Sequence, residues 1–276
     1  MTEHADPARH ERRAGAERRR IDWGGNAAIA VYRAILLIAI LGAWQLIAST
    51  LIDPIWISRP TDISRALHRL WGSGTLVSDV VATTLELVVG LLIGTLLGIL
   101  VALALGLNRT AADIFGPFIT LAYSFPQLAI APLYVLWFGI YSTPKVVLVT
   151  VVVFFIMFLN VFEGLKQVDA DLMNTLRVMG AHRRHVLRMV VLPSVLLFVS
   201  TGLKNAVPFG LRAAIFSEIL ISTKGLGHIL GGSAELFDSA GMFAALALIM
   251  AIGVVLNVLV EIQDRYSSRW RAPATM

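Results

Sequence analysis

Residues 174–193 read NTLRVMGAHRRHVLRMVVLP. Four arginines and two histidines surround Gly180 here, inside a chain whose neighbouring segments are strongly apolar. Leu172, Leu176, Met179, Val186 and Leu187 alternate with Arg177, Arg183, Arg184 and Arg188, and that spacing predicts short amphipathic helices. Gly180 interrupts the pattern, because glycine accepts the positive φ that joins one helix to the next. Pro193 then stands where the chain enters a long apolar run. A basic helix pair of this kind is suited to lie in a groove of a soluble partner and pass motion into the spans it joins. What those spans are decides the fold.

Apolar residues make up 57% of the 276, charged residues only 15%, and the mean hydropathy is +0.76. A soluble domain cannot bury that much apolar surface, so the expected solvent is a bilayer. Six runs are long enough to cross it, near 31–52, 80–107, 114–138, 145–163, 194–221 and 241–261. The net charge of +5 does not point to nucleic acid, because its placement is that of basic cytoplasmic ends. Arg9, Arg12, Arg13, Arg18, Arg19 and Arg20 precede the first run, Lys166 and the 177–188 arginines lie between the fourth and fifth, and Arg265, Arg269 and Arg271 follow the sixth. With an even number of crossings all three fall on one side, so both termini are expected in the cytoplasm. The resulting organisation is a basic N-terminal tail (1–30) touching anionic lipid, a transmembrane domain (31–264) carrying the excursion 169–189, and a basic C-terminal tail (265–276). Between the first two runs a short amphipathic helix is expected from about Asp62 to Trp71, capped by Thr61 or Asp62.

Gly90, Gly94, Gly98 and Gly106 line one face of the second span. Small residues at this spacing admit a second backbone, either within the bundle or from a second copy of the chain. The third span carries Pro117, Pro126 and Pro132, each expected to kink it, which suits the wall of a pathway more than a plain anchor. Tyr123, Phe125, Gln127 and Tyr141 border it, as pathway lining or as packing aromatics. The fifth span holds Lys204, Arg212 and Glu218, and ionisable groups at membrane depth are functional candidates by default. Lys204 could equally snorkel to headgroups. The chain has no cysteine, which excludes disulfides and thiolate chemistry. His182 and His185 are three apart, but no third ligand accompanies them and no metal site is expected.

The 174–193 stretch resembles the coupling loop of type I ABC importer permeases, in which E-A-A, three residues, glycine and nine residues lead to I-x-L-P. Here Gly180 and Val190-Val191-Leu192-Pro193 keep that spacing, while Asn174, Thr175 and Leu176 replace E-A-A. FPQLAIAPLYVLWFGI (125–140) and SEILISTKGLGHIL (217–230), with Glu218, Gly225 and Gly227, resemble segments of the nitrate, taurine and aliphatic-sulfonate permeases. The resemblance spans about residues 40–270 and implies an all-α integral membrane protein of the bacterial inner membrane, a six-helix permease working as a homodimer. It implies two copies of a cytoplasmic ABC ATPase, docked on Asn174, Thr175, Leu176, Gly180, Arg183, Arg184 and Pro193, and an extracytoplasmic solute-binding protein. ATP and Mg belong to that ATPase, and no G-x-x-x-x-G-K-[ST] phosphate loop occurs in this sequence. Lys204 and Glu218 match family positions, with Glu218 more a structural hydrogen-bonding group than a ligand. Arg212 has no family counterpart, and Glu86 stands where relatives often carry arginine. The two either form a compensating pair, or Arg212 faces the pathway and attracts an anion, or it snorkels or finds another partner. The implied cargo is a small oxyanion or sulfonate, the alternatives being a vitamin precursor or aromatic acid. A gradient-driven carrier would favour inverted repeats, which are not evident. An intramembrane enzyme would need converging acid–base residues, and no membrane-depth histidine is present.

Overall fold

The computed structural model describes residues 23–168, 175, 176 and 178–267. Its elements, all helical, are α1 (Trp23–Thr50), α2 (Pro60–Gly72), α3 (Leu76–Gly106), α4 (Arg109–Tyr123), a 3-10 turn (Gln127–Ile130), α5 (Ala131–Phe138), α6 (Ser142–Lys166), α7 (Arg183–Val186), a π-helical turn (Leu187–Val191), α8 (Leu192–Ile221), α9 (Leu226–Glu235) and α10 (Ser239–Ser267). The chain divides into two units, residues 1–61 and 62–276. In the first, α1 is apolar on every side, with Tyr32, Leu36 and Ile38 all exposed, as a membrane-spanning helix is.

In the second unit α3, α6, α8 and α10 are each long and apolar enough to cross a membrane. The expected third span is two helices bent by 72°. With α1 and this bent pair counted as one, the described residues give the six spans read from the sequence. The three prolines act differently. Pro126 starts the 3-10 turn at ψ 82°, outside the helical region, and there the chain breaks. Pro132 sits in the first turn of α5, where its missing donor costs nothing, and Pro117 lies inside a helix that continues past it. Similarly, α2 begins at Pro60, so Thr61 and Asp62 lie inside the helix and do not cap it. Asp62 pairs with Arg65 at 2.9 Å.

The core is built on α6, which packs against α3 on one side and α8 on the other. A Cβ on Gly90 would lie 2.5 Å from Val149, on Gly94 2.8 Å from Val153, on Gly98 2.7 Å from Met157 and on Gly106 2.6 Å from Leu165. Each glycine thus faces the residue 59 positions on, so the helices run parallel and in register, with α6 side chains seated directly on the α3 backbone. This decides between the two readings of the stripe: it serves packing inside the bundle. Direct backbone approach gains dispersion and Cα–H contacts, which drive helix association where lipid is as apolar as leucine. On α8, Gly202 meets Met157 and Gly210 meets Val153 and Leu87, so α8 runs antiparallel to α6. One end of this bundle carries the α6–α8 connection, the loop end. The other carries the α8–α9 turn.

Candidate functional site

At the loop end, Gly180 adopts φ +83°. The Ala181 N–H donates to the Leu176 carbonyl at 3.0 Å and the Met179 N–H to that of Thr175 at 3.1 Å, which closes a helix with a left-handed glycine as a Schellman motif does. Nothing lies within 4 Å of where a Gly180 Cβ would be, so only the backbone requires glycine here. Val178 and Met179 just before it are 90% and 77% exposed, and Arg184, His182 and His185 are exposed beyond it. The excursion is not slack at its far side. The π-helical turn buries Val190 and Val191 and runs directly into α8, with Pro193 in its first turn. Asn174 lies outside the described residues, and of Arg183 only the backbone is described. Among the described residues no group of three or more His, Asp or Glu is placed to hold a metal ion.

A cavity of about 440 Å³ opens beside the α4–α5 break. Tyr123, Phe125 and Gln127 come to it from the break, Val152 and Ile156 from α6, Arg212 from α8. The Arg212 guanidinium lies over the Phe209 ring, 4.9 Å from its centroid. Among the described residues no carboxylate pairs with Arg212. Four candidate pathway residues therefore meet in one place, and Phe209 joins them. Phe209 was missed because a phenylalanine in an apolar helix carries no signal of its own.

The other pathway candidates lie elsewhere, Tyr141 being exposed just ahead of α6. Lys204 donates to Asp264 at 2.6 Å, joining α8 to the last turns of α10. Glu218 is fully buried at the opposite end of α8. It accepts the Thr83 hydroxyl at 2.8 and 3.0 Å and the Gly227 N–H at 2.7 Å. The Leu226 N–H donates to Thr83 and the Gly225 N–H to Asp79, both at 2.9 Å. Three successive N–H groups at the start of α9 thus meet acceptors from α3 and α8, where the helix dipole favours negative charge. The glycines follow from this arrangement. Gly225 is at φ +111°, and a Cβ on it or on Gly227 would run into the Glu218 side chain.

Glu86 is not beside Arg212. Its carboxylate forms a close ion pair with Lys145, and both side chains are nearly fully buried. Lys145 also donates to Ser222 at 3.0 Å. Of the alternatives read from the sequence, the Glu86–Arg212 pair does not form; Glu86 pairs instead between α3 and the start of α6, a turn from the Glu218 cluster. Lys145, at the start of an apolar run, was not singled out from the sequence. Asp79, Thr83 and Glu86 recur at helical spacing in a largely apolar stretch, and that polar stripe was the signal available.

Residues 94–269 match the family described as "Binding-protein-dependent transport system inner membrane component". The taurine transport system permease protein TauC of Escherichia coli (strain K12) is 28% identical over 91% of this chain and 94% of its own length. The putative aliphatic sulfonates transport permease protein SsuC of Bacillus subtilis (strain 168) is 24% identical over 86% of each chain. An inward-facing structure of the MetNI methionine ABC transporter superposes with a TM-score of 0.61 at 19% identity, covering 71% of this chain and 98% of the chain it matches.

Proposed function

The chain belongs to the binding-protein-dependent transport system inner membrane component family, the permeases of ABC importers, and from that premise we propose its cargo and its coupling route. The cargo is a small organic anion of the sulfonate or oxyanion kind. Two relatives named for taurine and aliphatic sulfonates support this, and so does the charge of Arg212, uncompensated among the described residues, which favours an anion over an uncharged vitamin precursor. The energy comes from a separate ATPase, which holds ATP and Mg and docks from the cytoplasm on the loop end, two copies serving two permease chains. A solute-binding protein delivers cargo from the opposite face.

The observation that carries the coupling route is the Gly180 excursion. It displays the apolar Val178 and Met179 together with basic side chains, and it is continuous with α8 through buried residues. A partner surface that moves this tip moves α8. In a pull-down of the tagged chain from its native membrane, an ATPase is expected to accompany it. Gly180→Val forces a β-branched residue into a left-handed conformation, at a cost of about 1–2 kcal/mol, and the ATPase yield should drop several-fold. Gly180→Asn, which tolerates that conformation, should keep most of it. A chain that purifies alone under several mild detergents overturns the reading.

A further inference from the structure

We infer that the cavity at the α4–α5 break is an amphiphilic-anion subsite. Arg212 and Gln127 hold the charged head of a small organic anion there, and Phe209, Phe125 and Leu128 cover its carbon skeleton. This deepens the proposed function and rests on it.

Three observations converge. Arg212 stands nine residues from the end of α8 at Ile221, about 14 Å along the helix axis, and so within the span. A cation at that depth is costly without a counter-charge, and among the described residues none is supplied. The guanidinium lies over the Phe209 ring, a contact that supplies no counter-charge, and its five N–H donors suit a two-oxygen acceptor. Second, the backbone at the break is non-helical over Ser124–Pro126. In a bilayer such backbone is tolerated where it lines a cavity holding water or ligand. Third, apart from Arg212, Gln127 and the Tyr123 hydroxyl the walls are hydrocarbon and aromatic. Sulfate or nitrate would give up its hydration there with few donors in return. An anion with an apolar body loses less water and gains contact with Phe209, Phe125 and Leu128. The volume of about 440 Å³ lies in the range of small-molecule sites.

The absence of cysteine allows a direct test. Tyr123→Cys places a single thiol in the cavity wall, in membranes holding the full chain and the ATPase that accompanies it. Its modification is timed with sulfonatoethyl methanethiosulfonate and with the trimethylammonium reagent of similar size. Relative to the rates of the two reagents with a free thiol in solution, the anionic reagent should react at least about tenfold faster, the enrichment a charged cleft produces. Adding Arg212→Gln should bring the ratio near one, and Arg212→Lys should restore most of it. 1-Butanesulfonate should slow labelling at concentrations where sulfate does not. Equal rates with and without Arg212, no labelling by either reagent, or equal protection by sulfate would each overturn the subsite. The ATPase yield from the same membranes separates the two readings. If it is retained without charge preference, the permease reading stands and the subsite falls. If it is lost from the chain with Arg212 and Tyr123 intact, both fall.

Discussion

Glu86 and Lys145 show what a buried charge requires of its surroundings. Neither side chain reaches solvent or lipid to any extent, so each depends on the other, and the Ser222 hydroxyl accepts a further hydrogen bond from Lys145. Removing one partner of such a pair strands the other, at a typical cost of about 3–5 kcal/mol, whereas replacing both with neutral groups of similar volume is often tolerated. Glu86→Gln alone should therefore sharply lower the fraction of protein that stays monodisperse on heating in detergent. Glu86→Gln with Lys145→Met should recover most of the loss, and Glu86→Gln with Arg212→Gln should recover none. A reversal of the last two outcomes would restore the Glu86–Arg212 pairing. Glu86 and Arg212 were visible as exceptions in apolar helices but could not be matched to their neighbours, because a helical period fixes a face and not what lies opposite it. The Glu218–Gly225–Gly227 pattern was legible as a resemblance. Its cause, a carboxylate receiving the start of α9 with no room for a Cβ, needed coordinates.

Elements were legible to the degree that their signal was periodic and long. The spans fell close to their apolar runs, and the helix at Pro60–Gly72 near its amphipathic stretch. α9 went unassigned, being ten residues long with three glycines inside, below the length at which period alone identifies a helix. The glycine stripe was visible at its spacing of four, yet its partner was undetermined until α6 was seen opposite. That contact is tight enough to test. A Cβ at Gly94 would lie 2.6 Å from the Thr150 carbonyl oxygen and 2.8 Å from Val153 Cβ, so Gly94→Val must push α3 and α6 apart. Overpacking of this kind costs about 1–3 kcal/mol, occasionally more, and the yield of folded protein in the membrane should fall severalfold. Gly232→Ala is the contrast, since nothing lies within 4 Å of that site and alanine favours the helix by up to about 1 kcal/mol. Its yield should equal or exceed that of the unaltered chain.

Across the whole molecule, α8 connects the two ends. Its 30 residues extend about 45 Å. It continues the excursion at its start, carries Arg212 along the cavity, and ends at Glu218 in the cluster that joins it to α3 and α9. Under the proposed coupling route, a displacement imposed at Gly180 would reach a point where α8 cannot move without dragging α3 and α9 or breaking the bonds of Glu218 to Thr83 and Gly227. The cluster is more than a packing contact on this view, because it makes the two ends move together. Glu218→Ala leaves a buried hydroxyl and a buried N–H without acceptors, about 1–3 kcal/mol each, and loosens that end without touching the excursion. In the reconstituted assembly, ATP hydrolysis should persist while solute uptake falls, so the number of ATP consumed per solute carried should rise several-fold. Glu261→Gln, which removes only an exposed pair with Arg265, should leave that ratio unchanged. If Glu218→Ala lowered hydrolysis and uptake in proportion, the cluster would be holding the fold together and not transmitting the motion of α8.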